Sequence, residues 1–290
     1  MPRSSPVVHT LTTGRRFVRR GLPRRRWQDL YHFYMTISWP RLFASFAAFL
    51  TVFNLLFAVV YWLRDGGIAH LNPPGYWGCF FFSVETLATV GYGDMHPQTL
   101  FTHVVASVEI FTGIMSLAVI AGMMFARFSR PTARILFARY AVIRPLDGEP
   151  TLMLRAANER GNVIMEAQAR LRLVRDERTV EGYSIRRIHD LRLRRSEQPA
   201  FLFSWTLMHS LGPDSPLAGA TLESLQAQNA FLILTLFGID ETTGQTLMAR
   251  HEYPAEALRW RHTFSDILST GEDGVDYLDY TRFHDVAPLE

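Results

Sequence analysis

The sequence predicts a membrane α + β chain, with two transmembrane helices, a re-entrant segment between them, and a β-sandwich domain behind. Three observations carry that prediction. Two long apolar runs, at 42–63 and 99–126, are almost free of charge. Between them a shorter apolar segment ends in a glycine-punctuated loop, TLATVGYGDMHP at 86–97. Beyond residue 131 the hydrophobic period shifts from helical spacing to strand-like alternation. Averages conceal all of this, since 48% hydrophobic residues and a mean hydropathy of +0.03 also describe an ordinary soluble enzyme.

Residues 1–26 read as a basic N-terminal arm. Every basic residue in the chain is arginine, and Arg3, Arg15, Arg16, Arg19, Arg20, Arg24, Arg25 and Arg26 fall here. Such an arm either meets anionic lipid headgroups or does no more than enforce topology. Residues 27–40, WQDLYHFYMTISWP, place Leu30, Tyr34 and Ile37 on one helical face, with Asp29 and His32 off it. This fits a helix lying in the membrane interface with Trp27 and Trp39 at headgroup depth, or a short linker helix.

Residues 41–131 hold the membrane domain. The outer run at 42–63 is long enough to cross a hydrocarbon core of about 30 Å as a helix. The inner run predicts a helix over 99–128, with His103 and Glu109 as the ionisable groups within its apolar stretch. Arg127, Arg130, Arg134 and Arg139 follow it, so positive charge flanks both spans on one side and predicts both termini in the cytoplasm. A cleavable signal peptide is not expected, because no small-residue cleavage site follows the first run. The single cysteine, Cys79, excludes an intrachain disulfide and a cysteine-based metal cluster, and reads as a packed small residue. The net charge of +3 arises at the membrane flanks, so nucleic acid is not an expected partner.

Between the spans, residues 75–88 are apolar but too short to cross. A half-helix followed by an extended loop, together at 76–94, is the economical reading. Non-helical backbone at membrane depth must line a water-filled cavity or be packed within protein. Thr89, Val90, Gly91, Tyr92 and Gly93 spell TVGYG, which resembles the potassium selectivity filter, where four such loops replace the ion's hydration shell with carbonyl oxygens. Gly91 and Gly93 allow the positive φ that aims successive carbonyls at one axis, and the Thr89 hydroxyl adds an oxygen below them. One chain supplies one loop, so the motif implies a homotetramer, this chain with three identical subunits around a pore. Asp94 then forms a ring of carboxylates at the mouth that concentrates cations, or is an ordinary surface aspartate.

Residues 132–290 predict a β-sandwich. Val163, Met165, Ala167, Ala169, Leu171 and Leu173 alternate with Ile164, Glu166, Gln168, Arg170 and Arg172 as in a half-buried strand, and Leu191 and Leu193 alternate with charged neighbours. Further strand-like runs lie at 151–155, 201–208 and 231–237, separated by turn-rich stretches such as GPDSP and DETTGQ. Only 222–227 looks helical. A GxGxxG nucleotide-binding turn is absent from the sequence.

From WQDLY onward through SWP, FFFSVETLATVGYGDMHP, ARFSRPTA, HDLRL, DSPL, ETTGQ and DYTRFHD, the chain resembles the prokaryotic inward-rectifier potassium channels of the KirBac type. The resemblance implies a slide helix, outer helix, pore helix with filter, inner helix and a cytoplasmic immunoglobulin-like sandwich that extends the ion path. It also implies roles for single positions. Glu85 matches the pore-helix glutamate behind the filter. The arginine that pairs with it in eukaryotic relatives is replaced here by Met95. Gly113 matches the inner-helix hinge, where the alternative is a glycine needed only for close helix packing. Leu117 matches the cavity position that is acidic in strong rectifiers, and Phe125 the bundle-crossing gate, where four apolar side chains block ions by dewetting. Read without the resemblance, both are packing residues. Arg127, Arg130 and Arg134 match positions that sense anionic lipids, although positive-inside anchoring also accounts for them. Glu166 and Glu241 match acids of the cytoplasmic vestibule, or are surface carboxylates.

The expectation is therefore a potassium channel of inward-rectifier type in a bacterial cytoplasmic (inner) membrane. It has no catalytic centre and no cofactor, conducts K+, and takes Mg2+, Ba2+ or polyamines as blockers. With Leu117 apolar, rectification is expected to be weak. The alternative is a potassium-binding or lipid-sensing membrane protein that does not conduct. A channel-derived transporter is disfavoured, because such chains hold four filter-like loops.

Overall fold

The structure is a computed structural model and describes residues 8–10, 16–18, 30–130 and 132–289. Most of the basic arm, and residues 27–29 of the expected interfacial helix, lie outside the described residues. The chain divides into two compact units, Pro23–Arg130 and a second made of Pro131–Glu290 with Met1–Leu22. In the second unit Val8–Thr10 pairs antiparallel with Arg16–Val18.

The first unit is helical. A short helix α1 (Leu30–Thr36) comes before α2 (Trp39–Trp62), which starts where Pro40 sits in its first turn, a position whose missing N–H costs nothing. The half-helix α3 (Tyr76–Leu87) follows, and then α4 (Leu100–Phe128). Thr99 caps α4: its hydroxyl accepts from the Thr102 amide while the Thr102 hydroxyl accepts from the Thr99 amide. Both α2 and α4 are long and apolar enough to cross a membrane. The α1 helix is shorter than expected, ending before Ile37, with Met35 buried. An apolar cluster of Ala58 and Tyr61 on α2, Cys79 and Phe82 on α3, and the loop residues Ile68 and Met95 holds the helices together. Cys79 is the packed small residue the sequence suggested.

The second unit contains two facing β-sheets. In one, Ile164–Arg178 lies between Phe231–Asp240 on one side and both Glu197–Phe201 and Ser184–Leu191 on the other, and Thr246–Pro254 completes it, all antiparallel. The other orders Ser204–Ser210, Glu149–Asn158, Ala141–Leu146 and Leu258–Trp260, the last pair parallel, with Ile135–Phe137 also on Glu149–Asn158. Leu152, Leu154 and Ala156 from one sheet meet Ala169, Leu171, Leu234 and Leu236 from the other in the core between them. The other face of the second sheet is covered too, because Val142, Met153 and Ala157 pack against Phe264, Ile267 and Phe283. The only α-helix described in this unit, α5 (Leu222–Ala227), has the predicted bounds and is capped by Thr221.

One expected register is corrected. The alternation holds from Ala167 to Leu173, but upstream it inverts: Ile164 is 2% exposed and Met165 39%. The cause is a bulge. Glu166 adopts φ +49°, and the ladder to Phe231–Asp240 slips between Phe237 and Ile239. One extra residue moves every earlier side chain to the opposite face.

Candidate functional site

The site is built on the C-terminal end of α3. That helix stops at Leu87, and the next residues turn sharply. The Val90 amide donates to the Glu85 carbonyl at 2.8 Å, and Thr89 takes φ +56°. Gly91 at φ +60° and Gly93 at φ +87° repeat the left-handed conformation at every second position, while Val90 and Tyr92 do not share it. In an ordinary strand successive carbonyls point to opposite sides. Inverting φ at alternate residues brings them toward one side, which makes a ladder of oxygens out of backbone alone. The two glycines were foreseen, but Thr89 was not, because a threonine rarely adopts positive φ.

The loop is anchored at the end remote from α3. Ile68–Ala69 pairs with His96–Pro97, the Gln98 amide donates to the Gly67 carbonyl at 2.8 Å, and the Thr102 hydroxyl donates to the same carbonyl at 2.9 Å. Asp94 is exposed, and its carbonyl lies 3.3 Å from His70 Nδ1. Val90 and Tyr92 are exposed in the single chain, at 49% and 75%. Glu85 is half-buried, and among the described residues its carboxyl group makes no side-chain hydrogen bond or ion pair. Met95 is buried in the apolar cluster.

Behind the half-helix lies a buried polar network that the sequence reading did not assign. Glu109 on α4 is fully buried. Tyr61 of α2 donates its hydroxyl to Glu109 Oε2 at 2.6 Å, and the Ser83 hydroxyl of α3 is hydrogen-bonded to Glu109 Oε1. Ser83 also meets Asn54 Oδ1 of α2 at 3.0 Å, while Asn54 Nδ2 donates to the Leu50 carbonyl at 2.9 Å. A carboxyl group in an apolar span is the signal that marks such a site.

One turn further along α4, Gly113 sits against the end of α3. A Cβ added there would lie 2.1 Å from the Leu87 carbonyl oxygen. The demand for glycine visible here is therefore close approach, in a helix that runs unbroken from Leu100 to Phe128. Leu117 and Phe125 are on exposed parts of α4, at 69% and 74%.

At the far end of α4 the arginines are engaged. Arg127 Nη1 donates to the Tyr34 carbonyl at 3.0 Å, its Nη2 to the Ile37 carbonyl, and its guanidinium stacks 4.4 Å from the Trp39 ring centroid. Arg130 Nη1 donates to the Met35 carbonyl at 2.9 Å. These are carbonyls that the last turn of α1 and the residue just beyond it leave without helical partners. Arg134, in the other unit, is exposed. There, Glu166 on its bulge and Glu241 are brought to the same end of one sheet: Met165 pairs with Ile239, Ile164 with Asp240, and the Glu241 amide donates to the Val163 carbonyl.

Comparison with known proteins places these elements in context. The inward rectifier potassium channel C-terminal domain matches residues 135–290, and an ion channel family matches residues 48–130. The chain is 38% identical to the inward rectifier potassium channel Kirbac3.1 of Paramagnetospirillum magnetotacticum over 99% of its own length and 97% of that protein. It is 30% identical to the human G protein-activated inward rectifier potassium channel 3, over 94% of this chain and 75% of that one. The ATP-sensitive inward rectifier potassium channel 12 of Gallus gallus is also 30% identical, over 90% and 66%.

Proposed function

The chain belongs to the inward rectifier potassium channel family and is a potassium channel of that type, and from that premise we propose how its residues conduct and gate. Four copies surround one axis, and residues 89–93 of each face it. Alternate positive φ at Thr89, Gly91 and Gly93 is the observation that carries this reading, because it turns a loop into a carbonyl ladder. The exposure of Val90 and Tyr92 in a single chain supports it, since backbone at membrane depth needs covering by neighbouring copies.

Asp94 forms the outer carboxylate ring, and Leu117 and Phe125 narrow the path within and below the cavity. Glu166 and Glu241 draw cations toward the inner mouth. Gly113 is the point about which α4 bends, or the point at which it docks on the pore helix, and the close approach to Leu87 favours docking. Arg127 and Arg130 tie α1 to the end of α4, and with Arg134 respond to anionic lipid at the inner surface of a bacterial cytoplasmic membrane. Blockers with more than one positive charge, such as Mg2+, Ba2+ or polyamines, enter the same path.

The experiment is Gly91→Ala in the full-length protein in liposomes. A Cβ at φ +60° is strained by roughly 1–2 kcal/mol per chain. Rubidium uptake should fall at least tenfold while the assembly remains intact. Undiminished, potassium-selective uptake would refute the carbonyl-ladder reading.

A further inference from the structure

Two close contacts between α4 and α3 lie one helical turn apart on both helices. Glu109 meets Ser83, and Gly113 meets Leu87, so a spacing of four residues is matched by four. Thr102, Ala106, Glu109 and Gly113 are the buried positions of α4 and form a single stripe. Leu87 is the last residue of α3, and Thr89 begins the carbonyl ladder two residues later. Any shift of Ser83 along or about the α3 axis is therefore passed to the filter through about one turn of rigid helix and a two-residue turn.

On its other side α3 is held by α2. Asn54 touches Ser83, and Tyr61 packs its ring edge-on against Phe82 with centroids 5.1 Å apart. Glu109 is the group that closes this arrangement, because its two oxygens engage one hydroxyl from α2 and one from α3. Both hydroxyls are rotatable and can donate or accept, so the carboxyl group fixes two helices at once. A purely apolar contact would hold their separation but not their register.

We propose that Glu109 is a positioning residue for ion selection: by bridging Tyr61 and Ser83 it fixes the register of the pore helix and hence the placement of the filter carbonyls. The inference rests on the conduction reading above. It assigns to the inner helix, far from the gate at its other end, a share in discrimination between K+ and Na+.

The test compares Glu109→Leu, Glu109→Gln and Tyr61→Phe in the full-length protein reconstituted in liposomes, reading the ratio of rubidium to sodium uptake per assembled channel. Glu109→Leu leaves the buried Tyr61 hydroxyl without its partner and Ser83 with Asn54 alone, which unlinks α4 from both, and the ratio should fall about tenfold. Glu109→Gln keeps one acceptor and gains donors that both hydroxyls can use, so it should stay within about twofold of wild type. Tyr61→Phe removes one of the two bonds with the ring in place and should fall roughly threefold. It keeps the test open should Glu109→Leu fail to assemble. A wild-type ratio in both Glu109→Leu and Tyr61→Phe, even with lowered thermal stability, would reduce Glu109 to a structural role and overturn the proposal. Equal losses in Glu109→Gln and Glu109→Leu would overturn it as well, since hydrogen-bonded register would then not be what matters. Silence of the wild-type protein would count against conduction instead. Glu109 is then read through the extra resistance to thermal dissociation that K+ gives over Na+, a difference Glu109→Leu should abolish and whose persistence would overturn the proposal.

Discussion

Gly113→Ala separates packing from hinging at the position where the two readings meet. The added Cβ would stand 2.1 Å from the Leu87 carbonyl oxygen and 3.0 Å from its carbonyl carbon. A comfortable carbon–oxygen contact is about 3.3 Å, so the end of α3 and α4 must part by about 1.2 Å. Both partners are backbone, and no rotamer change relieves the clash. Overpacking of this kind costs roughly 1–3 kcal/mol, and alanine returns up to about 1 kcal/mol of helix propensity over glycine. The net is roughly 0–2 kcal/mol per chain, borne at the residues that lead into the filter. Two measurements on the full-length protein read it: the temperature at which the assembly dissociates, and the ratio of rubidium to sodium uptake in liposomes. Both should fall. If both stay at wild-type values and only the fraction of open channels drops, the glycine serves bending and the docking argument is wrong.

Three further outcomes follow from other parts of the molecule. Leu117→Asp should strengthen block by internal spermine at least tenfold, because a ring of carboxylates would face the cation in the cavity, and unchanged block would remove Leu117 from the ion path. Arg127→Gln with Arg130→Gln should blunt the response of flux to the fraction of anionic lipid and also change basal flux in neutral lipid, since the carbonyls of Tyr34, Met35 and Ile37 lose their donors. Flux equally sensitive to anionic lipid would end the lipid-sensing proposal. In the β-sandwich, His209 is buried with Nδ1 donating to the Arg192 carbonyl at 2.7 Å and Nε2 accepting from the Ser215 hydroxyl at 2.8 Å, and burial holds its pKa below the ordinary 6.5. The unfolded chain then binds the proton first, so stability is retained above about pH 6.5 and lost as pH falls toward the depressed value. Melting of the full-length protein between pH 7 and 5 should therefore drop less in His209→Gln than in wild type, and identical pH slopes would contradict the assignment.

Much of this was legible because lipid and filter both restrict the alphabet. A run without charge at 42–63 has few uses other than spanning, and α2 occupies Trp39–Trp62. TVGYG names its own backbone, since Gly91 and Gly93 fall where positive φ is needed. The α5 helix was visible in full at 222–227. What stayed hidden depends on neighbours. The bulge at Glu166 inverts the strand phase without changing composition, so alternation alone put Met165 inside. Glu149–Asn158 showed only its middle, because both its faces are covered and alternation vanishes. There Arg155 is nearly buried, stacked 4.5 Å from the Phe264 ring centroid and donating to the Ser265 carbonyl. Glu109 stood out as a lone carboxyl in an apolar run, but its partners Tyr61 and Ser83 come from two other helices and share no sequence pattern with it. The arginines at and beyond the end of α4 read as lipid contacts, whereas two of them also close the end of α1, a contact set by folding back ninety or more positions along the chain.

Rubidium uptake into liposomes holding the full-length protein, driven by trapped potassium, tests the central claim most directly. The account predicts uptake that external barium blocks and that disappears when sodium replaces the trapped potassium. Uptake of equal size with trapped sodium, or none in any lipid composition even with Phe125→Ala to relieve the gate, would contradict it.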